Sequence, residues 1–169
     1  MIKMDAQTLS REIEALLAAQ HVMSLATAAG DGGVHAASLF YALDGLSLVW
    51  TSDPAARHSQ HLDASPKVAA TVAPDCADFH AVRGLQIAGS ARRLQGAAEV
   101  EGASNAMRHR YPFLEQLASG PPALREAWAK AGFYRLDPER ITLIDNARGF
   151  GFKAALRFLG AGAVELTDP

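Results

Sequence analysis

The sequence predicts a mainly β protein with peripheral helices, an α+β chain whose six strands close into a small antiparallel barrel. Three observations carry this. Apolar and small polar residues alternate over short runs at 34–43, 46–51 and 84–94; Asp44-Gly45 is a strong hairpin signal between the first two; and turn-forming Gly and Pro residues separate most of the runs. Short strands linked by tight turns escape exposed edges by closing on themselves. With 169 residues, 49% of them hydrophobic and 20% charged, the chain is sized for one domain covering 1–169.

Asp5 caps a first helix in which Leu9, Ile13, Leu16 and Leu17 recur at helical spacing, with Arg11, Glu12 and Glu14 mostly on the other side. Residues 21–28 read as a strand, Gly30-Asp31-Gly32-Gly33 as a turn, and 34–43 with 46–51 as the two arms of the hairpin. With a two-residue turn Leu43 faces Leu46, and counting outward places Ser38 opposite Thr51 on one face. Asp53 is a natural N-cap and Pro54 fits a first helical turn, so a helix is expected to start beside Ser52, with Arg57 and His58 within its first turn or so. Ser65-Pro66 ends it. Residues 67–73 form a strand, 74–78 a loop and 84–94 a further strand, where Gly89 marks a bulge or a close backbone approach. Residues 97–111 and 122–131 are two helices of an excursion near 97–131, divided by Ser119-Gly120-Pro121-Pro122. Two short strands, 133–136 and 141–145, flank Asp137-Pro138, and 160–169 reads as a loosely held tail.

The net charge of −2 with both signs mixed offers no basic stripe for nucleic acid, and Arg92-Arg93 is only a pair at a strand end. The single cysteine, Cys76, allows no intramolecular disulfide or thiolate cluster and suits a reducing compartment. No run approaches the length of a membrane span and the first segment is amphipathic rather than a signal peptide, so the expected location is cytoplasmic. His58 and His61 share a helix face but lack a third ligand, and His21, His35, His80 and His109 are scattered, so no metal site is expected. Cys76 has no base that the sequence can place beside it, and Asp145-Asn146 before Gly149 reads as a turn.

The junction at Ser52 is the chemically informative stretch. Free amide N–H groups and the positive end of the dipole gather at a helix start, and hydroxyl and basic side chains there suit a phosphate. The same residues also suit an ordinary strand end and cap, and both readings stand at this level. Lys153, held by Phe150, Phe152 and Leu156, either reaches a bound ligand or a substrate carboxylate or snorkels at a strand end. Trp50 is expected in the core.

The order of parts resembles the FMN-binding split-barrel family typified by pyridoxamine 5'-phosphate oxidase. The segments that carry the resemblance are Val22-Met23-Ser24-Leu25-Ala26-Thr27, Leu48-Val49-Trp50-Thr51-Ser52, the run from Arg57 through Pro66 to Ala69, and Gly84-Leu85-Gln86-Ile87-Ala88-Gly89. The resemblance implies FMN as cofactor, with its phosphate at the strand end and helix start, where Thr51, Ser52, Arg57 and His58 fall. It further implies that Ser38, Leu39 and Phe40 line the isoalloxazine ring and that Gln86 adds a contact. The chain departs from the oxidase pattern in having His58 where that pattern has a Lys and Gly84 where it has a Gln, and in lacking the oxidase's substrate-binding ending.

The expectation is therefore a homodimer with FMN between subunits, acting as an oxidoreductase or flavin carrier on an unidentified small molecule, with no catalytic acid or base assigned. The alternatives are a non-catalytic flavin- or haem-binding or sensing module and an interaction protein with a vestigial site.

Overall fold

A computed structural model describes residues 5–160 and 162–169. Its strands are β1 (Val22–Ala28), β2 (Val34–Phe40), β3 (Ala42–Asp44), β4 (Ser47–Ser52), β5 (Lys67–Val72), β6 (Arg83–Arg93), β7 (Gly132–Asp145), β8 (Lys153–Gly160) and β9 (Ala163–Thr167). Its helices are α1 (Ala6–Ala19), α2 (Arg57–Ala64), α3 (Ala97–Arg110), α4 (Phe113–Ser119) and α5 (Pro122–Lys130). All strand pairs are antiparallel, in the order β2-β1-β5-β6-β7-β4-β3, with β8 on β7 and β9 on β8.

The fold is thus the expected antiparallel half-barrel with helices around it, built from more strands than the expected six. One addition is the hairpin β8–β9, which replaces the loosely held tail. Gly160 and Gly162, at φ +86° and +78°, make the turn that returns β9 onto β8. The Arg140 guanidinium also donates to the Asp168 carbonyl at 2.6 Å.

The two short strands expected around Asp137-Pro138 are one continuous strand. Pro138 removes a ladder donor, but the irregularity is absorbed as a bulge: Ala88 faces Arg140 and Gly89 faces Pro138, leaving Glu139 extra. Gly89 is required there, because a β-carbon on it would lie 2.3 Å from the Asp137 carbonyl oxygen. The bulge also splits one edge of β7, whose N-terminal half pairs with β4 and whose C-terminal half pairs with β8.

The expected register of the first hairpin is corrected. Leu43 faces Leu48 and Asp44 faces Ser47, with Gly45 at φ +62° in the turn. The arm breaks at Tyr41, a fully buried ring whose hydroxyl donates to the Leu17 carbonyl at 2.7 Å while its own carbonyl accepts from the Tyr111 hydroxyl at 2.6 Å. Pinned there, the chain passes from one strand into the next: β2 pairs with β1, placing Ser38 opposite Ser24, and Thr51 faces Phe133 instead.

Asp5 caps α1 as expected, accepting from the Thr8 amide at 2.7 Å, and Leu9, Ile13, Leu16 and Leu17 enter the barrel core. Trp50 is core, stacked on Tyr134 at 5.5 Å between centroids. The excursion holds three helices rather than two, and builds a second apolar cluster from Ala42, Val49, Leu94, Ala103, Met107, Tyr111 and Leu114. Burying one large apolar side chain contributes about 1.5–3 kcal/mol, so this annex stabilises the β3–β4 side and the strand end that precedes α2.

Candidate functional site: the strand end and the outer face

Between β4 and α2 the chain makes one turn more than expected. The Asp53 carboxylate caps that turn, accepting from the Ala55 amide at 2.8 Å, while Asp53 carbonyl accepts from Ala56. The helix itself begins at Arg57, with Ala56 at the cap position and no side chain capping it. The amides of Arg57, His58 and Ser59 therefore have no acceptor within the helix, and its first turn carries no acidic side chain.

Around that start the structure gathers hydroxyls and imidazoles. Ser52 Oγ lies 2.7 Å from His58 Nε2, and His58 is buried. The His35 ring, from β2, lies parallel to the His58 ring at 6.3 Å and edge-on to His61 at 6.1 Å. His61 Nδ1 meets Thr27 Oγ1 at 3.1 Å. Burial, then the neighbouring His35 and His61, push the His58 imidazole below its usual 6.5, toward the neutral form. The Oγ atoms of Thr51 and Ser59 are buried without hydrogen-bond partners. An unpaired buried hydroxyl costs about 1–3 kcal/mol, and that of Ser59, in the first turn of α2, joins the three open amides in a donor set without an acceptor, whereas Thr51 follows Val49 on the face of β4 opposite Ser52. A phosphate oxygen is the acceptor such a set fits. Arg57 is exposed at the same turn.

Arg93 is a residue that sequence reasoning missed. A β-carbon on Gly132 would sit 2.9 Å from Arg93 Nε, and Gly132 is the cross-strand partner of Ser52. Its neighbour Arg92 is engaged by Glu99, which leaves Arg93 as the cation of the pair beside the strand end. Nothing local announces this, because the approach depends on the pairing of β6, β7 and β4.

The remaining candidates lie on the outer face of the sheet. Thr71, Gln86 and Thr142 are successive cross-strand partners, and the row continues through Ser24 to Ser38. Gln86 and Lys153 line one cavity of about 460 Å³ with Thr71, Ala88, Arg140 and Thr142. The expected trio on β2 divides: Ser38 and Phe40 are exposed, whereas the Leu39 side chain packs on the barrel core. Phe40 meets Tyr111 and Phe113 edge-on at 5.2 and 5.7 Å. No group of three or more His, Cys, Asp or Glu side chains among the described residues is arranged to hold a metal ion. No described helix is long and apolar enough to cross a membrane.

Residues 9–145 match the family model described as pyridoxamine 5'-phosphate oxidase, a span covering most of the chain. The chain belongs to the pyridoxamine 5'-phosphate oxidase family. Within it, a UPF0306 protein of Yersinia pestis is 30% identical over 143 residues, 83% of this chain and 88% of that one. Among solved structures, a heme binding protein from Mycobacterium smegmatis superposes with a TM-score of 0.71 at 20% identity, over 88% of this chain and 57% of that longer one. PhzG from Burkholderia lata, solved with tetrahydrophenazine-1-carboxylic acid, gives 0.64 at 14% identity over 96% and 91% of the two chains. The pyridoxamine 5'-phosphate oxidase-like split barrel is therefore this chain's fold, in a branch whose UPF0306 relatives carry no activity in their names.

Proposed function

We propose that this chain is an FMN-binding protein that works as a homodimer in oxidoreductase chemistry on a small molecule. The observation that carries the reading is the uncapped start of α2, where the buried hydroxyl of Ser59 lacks an acceptor in the same turn as Arg57. Three amides, this hydroxyl and one or two guanidiniums match the oxygens of a single phosphate monoester. One phosphate-sized anchor suits FMN, whereas the dinucleotides would need a second.

FMN when bound supplies hydride and one-electron chemistry; the protein binds, orients and shields. Arg57 and the α2 amides hold the phosphate, and Ser52, at the strand end, fixes its position. Gln86 on the outer face offers an amide that both donates and accepts, suited to the polar edge of a flavin ring. Lys153 and Arg140 give the 460 Å³ cavity a positive character that favours an anionic ring or substrate.

The outer face supports the dimer. Ala26, Ala36, Ala69 and Ala88 form an exposed row of small residues across four strands, beside the Ser38-Ser24-Thr71-Gln86 row. Such a flat surface, with little charge, accepts a second sheet closely, and a flavin ring needs walls from two such barrels.

Haem is the competing ligand, supported by the likeness to the Mycobacterium smegmatis protein. Against it, the two rows of the outer face carry no His, Cys, Met or Tyr to serve as axial ligand. Titrating the purified protein with FMN and with haemin separates the two: the FMN reading expects quenched flavin fluorescence at stoichiometric ligand and no specific haem band, and the reverse result replaces it with haem.

A further inference from the structure

The phosphate anchor contains an inconsistency in charge that points to a proton. In the oxidase pattern a Lys stands where this chain has His58, and a Lys brings a permanent charge. His58 instead is buried against two further imidazoles, His35 and His61. Among the described residues, no opposite charge from the elements around α2 compensates. β1 supplies Thr27 and β2 supplies His35, and neither strand carries a carboxylate. On β6, Arg83 and Arg92 are engaged by Asp145 and Glu99, and Arg93 is another cation. The Asp53 carboxylate accepts from Ala55, that of Asp31 accepts from Gly33, and Asp63 is exposed. In that setting a second positive charge at Ser52 is costly until an anion arrives.

Resting on the FMN reading above, we infer that a phosphate monoester dianion binding at the α2 start is coupled to uptake of a proton by His58, which lies against His35. The proton passes from the buffer to the His58 imidazole, which then faces the phosphate as a cation. Burial, with His35 and His61 beside it, biases His58 toward the neutral form in the ligand-free protein, and so makes the site's second charge conditional on the ligand. The site thereby distinguishes a phosphorylated flavin from riboflavin by charge as well as by contacts.

The test is calorimetry of FMN and riboflavin binding at pH 7.5 in two buffers of different ionisation enthalpy, with the wild-type protein and His58→Lys. A phosphate monoester has its second ionisation near pH 6, and whatever it contributes is common to both proteins. The expected result is a larger proton uptake by the wild type than by His58→Lys on binding FMN, and none by either on binding riboflavin. Equal proton counts with FMN bound to both proteins overturn the inference while leaving the FMN reading intact. If the wild type does not bind FMN, the reading beneath it falls as well. Should His58→Lys not fold, the wild type decides alone: coupling to one proton changes affinity by up to about tenfold per pH unit, so the ratio of FMN to riboflavin affinity is expected to rise about threefold or more from pH 8.5 to pH 7. A flat ratio overturns the inference.

Discussion

Replacing Ser59 by Ala should raise the stability of the ligand-free protein and lower its affinity for FMN, two effects of opposite sign from one atom. Ser59 is 2% exposed in the first turn of α2, and its Oγ has no partner. An unsatisfied buried hydroxyl costs about 1–3 kcal/mol, of which the loss of its packing on deletion recovers only part, so a net gain of about 1 kcal/mol is expected. For a chain of 169 residues that is a rise in Tm of about 2–4 °C. A hydrogen bond to a charged group contributes about 1.5–3 kcal/mol, so removal of this donor should weaken FMN by roughly 10- to 150-fold. Thermal denaturation of the ligand-free protein and calorimetry with FMN read the two quantities separately. A lower Tm for Ser59→Ala without ligand, or an unchanged FMN affinity, would refute the argument that the orphaned Ser59 hydroxyl awaits a phosphate.

Ala69→Arg, which sets a guanidinium in the exposed alanine row, should convert the proposed dimer to monomers in sedimentation at micromolar concentration without altering the far-ultraviolet circular dichroism. A wild-type protein already monomeric with FMN bound contradicts the dimer. Acid should destabilise the ligand-free protein through His58: its folded-state value lies below 6.5, so the unfolded chain binds the extra proton, and stability complete above 6.5 falls as pH drops from there toward the folded value. His58→Gln should flatten that part of the denaturation profile, and an unchanged slope assigns the loss to other groups. Gly89→Ala drives a β-carbon into the Asp137 carbonyl and should cost about 1–3 kcal/mol, read by urea denaturation, whereas Gly102→Ala, which meets nothing within 4 Å, should be harmless or stabilising.

Where the sequence spoke locally, it was legible. Asp5 and the spacing of Leu9, Ile13 and Leu16 define α1 because cap and amphipathic stripe are properties of one segment. Gly89 announced a close approach because a glycine within a strand has few other uses. Misreadings came where a distant contact overrode a local signal. Pro138 reads as a strand break, yet β6 on one side and the edge shared by β4 and β8 on the other hold β7 continuous through it. The register that placed Ser38 opposite Thr51 assumed an unbroken arm, and failed because Tyr41 is anchored by Leu17 and Tyr111, residues 24 and 70 positions away. The β8–β9 hairpin was hidden by glycines that read as slack. At the site, Ser52, Arg57 and His58 were visible because they sit on one strand-to-helix junction. His35 and Arg93 were not, since only closure of the sheet brings β2 and β6 to α2.

The central claim is that the start of α2 holds the phosphate of FMN, and comparing FMN with riboflavin by calorimetry on the wild type and on Arg57→Ala tests it most directly. Arg57 is exposed, so solvent screening moderates its charge, and the lower part of the range for a charge-assisted bond, about 1.5 kcal/mol, applies. The account predicts that the wild type binds FMN well above riboflavin, and that Arg57→Ala loses about tenfold for FMN while riboflavin is unaffected. Equal affinity for the two flavins in the wild type, or equal losses for both in Arg57→Ala, would contradict it.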